Sequence, residues 1–102
     1  MSIQQTLERI LRHVKEGFHP SDLADLVEEL TDQQKKELFE LLSDEAAALI
    51  IQEMEDFDQV SLLRLLTKHR ASAILKEMAI DDAADLLGEL SPEEARDLLA
   101  LI

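Results

Sequence analysis

The chain has 102 residues, enough for one domain with a core, and 46% of them are hydrophobic, which excludes a disordered polypeptide. It carries 23 acidic and 10 basic side chains, a net charge of −13, and such a surface repels nucleic-acid phosphates and anionic membranes. Because the chain lacks cysteine and its apolar runs are far shorter than the roughly 20 residues of a membrane helix, we expect a cytoplasmic protein without disulfides or membrane insertion.

The first predicted element is an amphipathic helix within an N-terminal capping segment, residues 1–18. Gly17 is placed to end this helix. Its outer face is basic, unlike the rest of the chain, as is typical of a terminal helix that caps a repeat array. Its apolar face consists of Ile3, Leu7, Ile10, Leu11 and Val14.

From residue 18 onward, apolar residues recur every twelve positions in three columns. The columns begin at Phe18, Leu26 and Val27 and run to the carboxyl terminus without a polar member. Within each unit the three positions fall on one face of an α-helix. The spacing predicts seven short helices, over residues 20–30, 32–42, 44–54, 56–66, 68–78, 80–90 and 92–102.

An alternation within this pattern predicts that the helices form pairs, each pair a helical hairpin. The residue before the Phe18 column is a glutamate at positions 29, 53 and 77 but a leucine at positions 41 and 65. Glu89 and Leu101 reverse the alternation, so we expect the last pair to pack differently. The predicted fold is all-α: over residues 19–102, an armadillo-like α-solenoid (superhelix) of helical hairpins with a 24-residue repeat, each with one exposed and one more buried helix.

Capping residues mark most of the predicted helix starts. Pro20 suits a first turn, and Ser91 with Glu94 has the spacing of a capping box. Helices this short depend on their neighbours for stability. The apolar end of the chain, around Leu98 and Ile102, predicts that another domain or a second copy covers it. The N-cap oxygens come from Thr31, Ser43, Thr67 and Ser91.

Enzymatic activity is not expected. The chain has no cysteine nucleophile, no serine on a glycine elbow and no phosphate-binding glycine loop. His13, His19 and His69 lack a second histidine at helical spacing, so we expect them to be structural or merely exposed. A hydrolase with paired carboxylates is disfavoured because no set of polar partners is visible.

Carboxylate clusters are the remaining chemical feature. Asp22-Leu23-Ala24-Asp25 and Asp82-Ala83-Ala84-Asp85 are copies of one motif, sixty residues or five units apart. Acids in a first turn favour the helix dipole, but this explains Asp81, Asp82 and Asp85 together less well, since like charges at i and i+4 repel. Two interpretations stay open: a solvated surface, or a site for a hard cation such as Mg²⁺, which often binds through one or two carboxylates.

Two stretches resemble the cytosolic N-terminal domain of MgtE-type magnesium transporters: His19 to Leu30 and Met78 to Glu94. The resemblance implies a regulatory domain that precedes a pair of CBS domains and a membrane domain in a homodimer. It further implies that carboxylates of this domain and the CBS domains share weakly bound Mg²⁺ and so favour pore closure. Asp82 and Asp85 best match the family's bridging aspartates, with Asp81 as a helper, whereas Asp22 and Asp25 are assigned to helix capping.

The alternative hypothesis is a metal-independent protein-interaction module, since armadillo-like domains of flagellar motor switch proteins have a similar build. On this hypothesis the terminal apolar face and the charged ridge bind another protein, with Lys68, His69 and Arg70 as a basic patch. Continuation of the reading frame past Ile102 into CBS and hydrophobic segments would favour the sensor over the module.

Overall fold

The computed structural model describes residues 5, 8–10, 12, 16–17 and 19–102. Residues 19–102 form seven α-helices and no strand, joined by turns of two or three residues. Each helix begins at its predicted residue and ends one to three residues early, because the last residues of each unit form the turn. The helices are α1 (Pro20–Glu28), α2 (Asp32–Leu41), α3 (Asp44–Gln52), α4 (Asp56–Leu65), α5 (Lys68–Glu77), α6 (Ile80–Glu89) and α7 (Pro92–Leu99).

The predicted N-terminal helix is described in part. Residues 5, 8–10 and 12 are helical, and Ile10 is buried. Gly17 has a φ of +79°, the left-handed conformation that suits glycine after a helix end. The other positions named for this segment lie outside the described residues: Ile3, Leu7, Leu11, His13, Val14 and Phe18.

The helices stack in two rows. Helices α1, α3, α5 and α7 pack successively on one another and form the odd row; α2, α4 and α6 form the even row. This stacking confirms the 24-residue hairpin repeat. The odd row is the more buried, since α3 and α5 each bury four side chains and α2 and α4 each bury three. The last pair keeps the same stacking order, since α6 contacts α4 and α7 contacts α5. It differs from the earlier pairs in burying fewer side chains.

The three apolar columns form the core, as predicted. Their central members, such as Leu38, Leu62 and Ile74, have no exposed surface. At the carboxyl end the column residues become exposed to solvent: Leu99 and Ile102 are 54% and 53% exposed. Helices α6 and α7 each bury a single side chain, because within the described residues no further helix packs on them.

Small side chains give the odd row its closer packing. Ala47 and Ala48 of α3 lie buried, and Ala71 and Ser72 occupy the same positions of α5, 24 residues later. Small residues at a contact let helix axes approach closely, which favours stacking of α3 on α5. The twelve-residue pattern did not predict this pair of columns, because large apolar residues define that pattern.

Side chains cap five of the seven helix starts. At the four predicted caps an oxygen accepts from the amide three residues on, at 3.1–3.2 Å. His19 adds an unpredicted cap, since its Nδ1 accepts from the Ser21 amide at 3.1 Å. The N-cap residues of α4 and α6 are Glu55 and Ala79, which provide no side-chain cap. The four predicted caps are Thr31, Ser43, Thr67 and Ser91.

Candidate cation-binding edge

The turns fall on two opposite edges of the solenoid. Gln59, in the first turn of α4, donates from Nε2 to the carbonyl oxygen of Ile51 at 2.6 Å. The Ala79 amide, at the start of α6, donates to Oε1 of Gln52 at 2.7 Å. The end of α3 therefore lies beside the starts of α4 and α6. At the other edge, ion pairs place the starts of α3, α5 and α7 beside the end of α4.

The first edge is acidic. We define the acidic edge as the turns 29–31, 53–55 and 78–79 with three helix residues on each side. It carries ten acidic side chains and one basic side chain, Lys76. The acids are Glu28, Glu29, Asp32, Glu53, Glu55, Asp56, Asp58, Glu77, Asp81 and Asp82. Across the described part of the chain, none of the ten forms an ion pair, so their charge is left to solvent and to external cations.

The three predicted site residues lie on one face of α6: Asp81 and Asp82 belong to the acidic edge, and Asp85 lies about one turn further along the helix. Asp81, Asp82 and Asp85 are all exposed. Asp81 and Asp85 are four residues apart, and Asp82 and Asp85 are three residues apart. At these helical spacings the Cβ atoms lie about 5–6 Å apart. Leu86, 1% exposed, anchors the helix and lies one turn beyond Asp82. The helix thus presents three carboxylates outward on a fixed support.

The opposite edge pairs each of its three bases with a carboxylate, although its six acidic side chains leave it with a net negative charge. We define this ion-paired edge as the turns 42–43, 66–67 and 90–91 with three helix residues on each side. Arg64 donates from Nε and Nη2 to the two carboxylate oxygens of Glu94, both at 2.9 Å. Lys68 Nζ lies 2.7 Å from Asp97 Oδ2. The Arg64 hydrogen bond and the Ser91 amide lower the pKa of Glu94 to about 2. The pKa values of Arg64 and Lys68 are raised by the hydrogen bonds to their carboxylate partners.

Arg70 completes the ion-paired edge. Its Nη2 donates to the Leu42 carbonyl oxygen at 2.6 Å, at the end of α2. Its Nε lies 2.9 Å from Asp44 Oδ1 without the alignment of a hydrogen bond, so this contact is electrostatic. Two residues of the predicted basic patch, Lys68 and Arg70, are therefore already paired within the chain. A groove of about 270 Å³ lies here between α4, α5 and α7, away from the aspartates of α6.

The two copies of the aspartate motif lie at opposite edges. Their offset is five helical units, an odd number, so Asp22 and Asp25 begin α1 of the odd row whereas Asp82 and Asp85 begin α6 of the even row. Adjacent helices run in opposite directions, and the start of α1 therefore lies at the ion-paired edge. The structure brings Asp81, Asp82 and Asp85 together and keeps Asp22 and Asp25 apart from them.

This arrangement of short helices is matched by known proteins. Residues 18–102 fit the family model of the MgtE intracellular N domain. The chain belongs to this family. The MgtE N domain described here is similar to the crystal structure of the soluble part of a magnesium transporter, with a TM-score of 0.80 and 19% sequence identity, which supports the same fold. The match covers 99% of this chain and 44% of that one, so this chain spans less than half of that structure. A comparison with curated proteins gives no significant match.

The aspartates of this MgtE N domain do not form a closed metal cage. Within the described residues, no three or more His, Cys, Asp or Glu side chains are grouped so as to hold a metal ion. Asp81, Asp82 and Asp85 share a face, yet they supply ligands from one side only. The residues that the structure describes also include no helix with the length and apolarity needed to span a membrane.

Three features of the acidic edge escaped the sequence analysis. Phe57 and Ile80, in the first turns of α4 and α6, are 80% and 86% exposed. Neither belongs to an apolar column. An apolar residue outside the columns is the sequence signal that could have identified them as exposed. Gln52 binds the start of α6 from 27 residues away, and no local sequence pattern reports such a contact.

Proposed function

We propose that this MgtE N domain is a cytoplasmic regulatory domain of a magnesium transporter or channel. Its acidic edge senses Mg²⁺ and docks on a CBS-domain partner, which favours pore closure. The observation that carries the proposal is the acidic edge itself: ten carboxylates and one base, with no ion pair among the described residues. A surface of this kind lowers its free energy when cations collect on it.

The donor set suits weakly held Mg²⁺. Mg²⁺ takes oxygen ligands, keeps several of its waters, and is commonly bound through one or two carboxylates. Asp81, Asp82 and Asp85 offer exposed carboxylates on one face of α6, with room for waters and for ligands from another domain. These residues would hold one side of the ion, and the ion would supply the positive charge that lets two acidic surfaces approach.

Because the solenoid moves as one rigid body, neutralising its carboxylates changes the position of the whole domain. Without bound cations, the acidic edge and an acidic CBS partner repel each other, and the domain stays away from its partner. When the carboxylates of Asp81, Asp82 and Asp85 are neutralised, the repulsion falls and the domain docks as one body. In the homodimeric transporter that we propose as its context, docking of the domain opposes pore opening.

Mg²⁺-dependent binding to a CBS-domain pair tests the proposal. The CBS pair of an MgtE-family transporter is immobilised, and binding of the 102-residue chain is measured at increasing Mg²⁺ and constant ionic strength. We expect Asp82→Asn with Asp85→Asn to abolish most of the Mg²⁺ dependence while the chain stays folded. The matched control is Asp22→Asn with Asp25→Asn, the same motif at the ion-paired edge, which should bind like the wild type.

Two results would contradict the sensor. One is binding that does not respond to Mg²⁺; the other is an equal effect of the two pairs of substitutions. Equal effects would mean that net charge, rather than the face of α6, governs docking.

A second candidate function is a protein-interaction module that needs no metal. The observation in its favour is that Phe57 and Ile80 are exposed apolar side chains near the starts of neighbouring helices. Such side chains bury apolar area when a partner covers them. Binding that persists in EDTA and is lost in Phe57→Ala with Ile80→Ala would favour this candidate over the sensor.

A further inference from the structure

Two large apolar side chains lie exposed at the acidic edge. Phe57 and Ile80 are 80% and 86% exposed, the highest values among the exposed large apolar residues of the described chain. They are the second residue of α4 and the first residue of α6, two helices that pack on each other in the even row. The axes of packed helices lie about 8–10 Å apart, so the two side chains start from neighbouring positions of one surface.

The repeat does not require an apolar residue at either position. At the position of Ile80 the other six units have proline, aspartate or lysine. Neither Phe57 nor Ile80 joins the hydrophobic core, so packing within the described chain does not account for them. At the position of Phe57 the other units have polar residues: Ser21, Gln33, Glu45, His69, Asp81 and Glu93.

Carboxylates lie beside both side chains. Within two residues along the chain, Phe57 has three acidic neighbours and Ile80 has two. A bound cation would neutralise these carboxylates but would leave Phe57 and Ile80 in water. A protein surface with basic side chains around an apolar centre meets both requirements, because it pairs with the carboxylates and covers the apolar atoms.

We infer that Phe57 and Ile80 anchor a basic amphipathic helix of another protein on the acidic edge. Apolar residues at i and i+7 of such a helix are about 10 Å apart, close to the spacing of α4 and α6. Docking of an amphipathic helix through apolar anchors at this spacing is a recurrent mode of recognition. A second copy of this chain fits less well, because its net charge is −13 and like-charged surfaces repel.

This inference deepens the metal-free candidate function, on which it rests, and does not depend on the Mg²⁺ sensor. It adds the chemistry of the partner: leucine-like residues on one face of a helix, with lysine or arginine on both sides of that face. The lysines and arginines would lie against the carboxylates that flank Phe57 and Ile80.

A synthetic peptide tests the inference on the full 102-residue chain. The probe has about 18 residues, long enough for a helix, with leucines on one face and lysines on the other. The control peptide has the same composition in an order that spreads the leucines around the helix. Dissociation constants are measured by fluorescence anisotropy at about 0.15 M ionic strength in EDTA, so that charge is screened and no divalent cation contributes.

Two variants locate the docking surface. Phe57→Ala with Ile80→Ala removes both anchors, and circular dichroism reports whether the variant is folded. Leu41→Ala is the matched control, because Leu41 is 60% exposed but lies at the ion-paired edge. The amphipathic peptide should bind the wild type at least about tenfold more tightly than the control peptide. The double variant should lose about tenfold in affinity, as expected for two truncated anchors, whereas Leu41→Ala should bind like the wild type.

Three results would overturn the inference. Equal affinities for the two peptides, or for the wild type and the double variant, would show that charge alone drives binding. An equal loss in Leu41→Ala would show that the acidic edge is not the docking surface. Self-association of the peptide-free chain that the double variant abolishes, seen by analytical ultracentrifugation, would assign Phe57 and Ile80 to a contact with a second copy.

The two proposed functions are tested separately. Binding of the CBS pair in EDTA decides the metal-free candidate, and the Asp82 and Asp85 substitutions decide the Mg²⁺ sensor. A failure of the peptide test would therefore be distinct from a failure of either function.

Discussion

The two edges of this solenoid are made of the same repeat but differ in their ion pairs: one edge pairs its bases with carboxylates, and the other has no ion pair among the described residues. At the ion-paired edge all three bases pair with carboxylates, and each of the four helices that begin there has a side-chain cap. At the acidic edge ten carboxylates face one base without an ion pair in the described chain, and two of three helix starts lack a side-chain cap. The comparison teaches that the repeat places its bases at one edge, where the fold pairs them, and leaves the other edge with carboxylates that make no ion pair in the described chain.

The largest loss of stability is expected in α6, which carries Asp81 and Asp82 and buries a single side chain. Leu86 is the buried residue of α6, and Leu86→Ala should lower the free energy of unfolding by about 2–5 kcal/mol, as large core truncations do. Urea denaturation measures the change. Ile80→Ala, in the same helix but 86% exposed, is the control and should stay within about 0.5 kcal/mol of the wild type. Similar losses in both variants would show that α6 is not anchored as described.

The ion-paired edge should be broken most directly at Arg70. Arg70→Met removes the donor to the Leu42 carbonyl oxygen and the contact with Asp44, and should lower the free energy of unfolding by about 1.5–3 kcal/mol, the range for a hydrogen bond of a charged group. The free energy of unfolding is again measured in urea. Lys76→Met removes the base of the acidic edge, which makes no described ion pair, and should change stability by less than about 0.5 kcal/mol. A larger loss from Lys76→Met than from Arg70→Met would reverse the comparison.

Capping substitutions should act with opposite signs at the two edges. Ser91→Ala removes a cap at the ion-paired edge and should destabilise the chain by about 1 kcal/mol. Ala79→Ser adds a cap at the acidic edge and should stabilise the chain by about 0.5–1 kcal/mol, because the backbone angles of Ala79 (φ −56°, ψ 141°) are close to those of the capped Ser91 (φ −63°, ψ 154°). Thermal unfolding of the two variants shows the signs. A loss of stability in Ala79→Ser would mean that the start of α6 cannot accept a hydroxyl cap.

The smallest expected effect is a dependence on pH that belongs to the ion-paired edge. The pKa of Glu94 is lowered from 4.5 to about 2 by Arg64 and Ser91, so the folded state favours the ionised carboxylate. Its contribution to stability is present above pH 4.5 and is lost as the pH falls toward 2. Glu94→Gln should therefore show a shallower loss of stability between those pH values. Identical slopes for variant and wild type would remove Glu94 from the acid response.

The sequence predicted the fold well because its signals are local and repeated. Twelve-residue columns such as that of Leu62 and Ile74 fix which faces are buried, and cap residues such as Thr31 and Ser91 fix where helices start. The predicted apolar face at the last unit is also present, since Leu99 and Ile102 are about half exposed.

The candidate site was predictable only in part. The odd number of units between the two aspartate motifs is visible in the sequence, and in a two-row solenoid it places Asp22 and Asp82 at opposite edges. The bond between Gln52 and Ala79 depends on the packing of α6 beside the end of α3, which no local pattern encodes. The roles of Asp81, Asp82 and Asp85 toward Mg²⁺ stay a prediction.

The most direct test of the acidic edge is an NMR titration of the chain with Mg²⁺, compared with Na⁺ at matched ionic strength. A millimolar site would stabilise the fold by only about 1.4 kcal/mol at ten times its dissociation constant, so residue-level shifts are sharper than a melting curve. We predict saturable shifts that centre on Asp81, Asp82 and Asp85, are specific to Mg²⁺, and are absent at Asp22 and Asp25. Diffuse shifts that Na⁺ reproduces, or equal shifts at both motifs, would contradict the account.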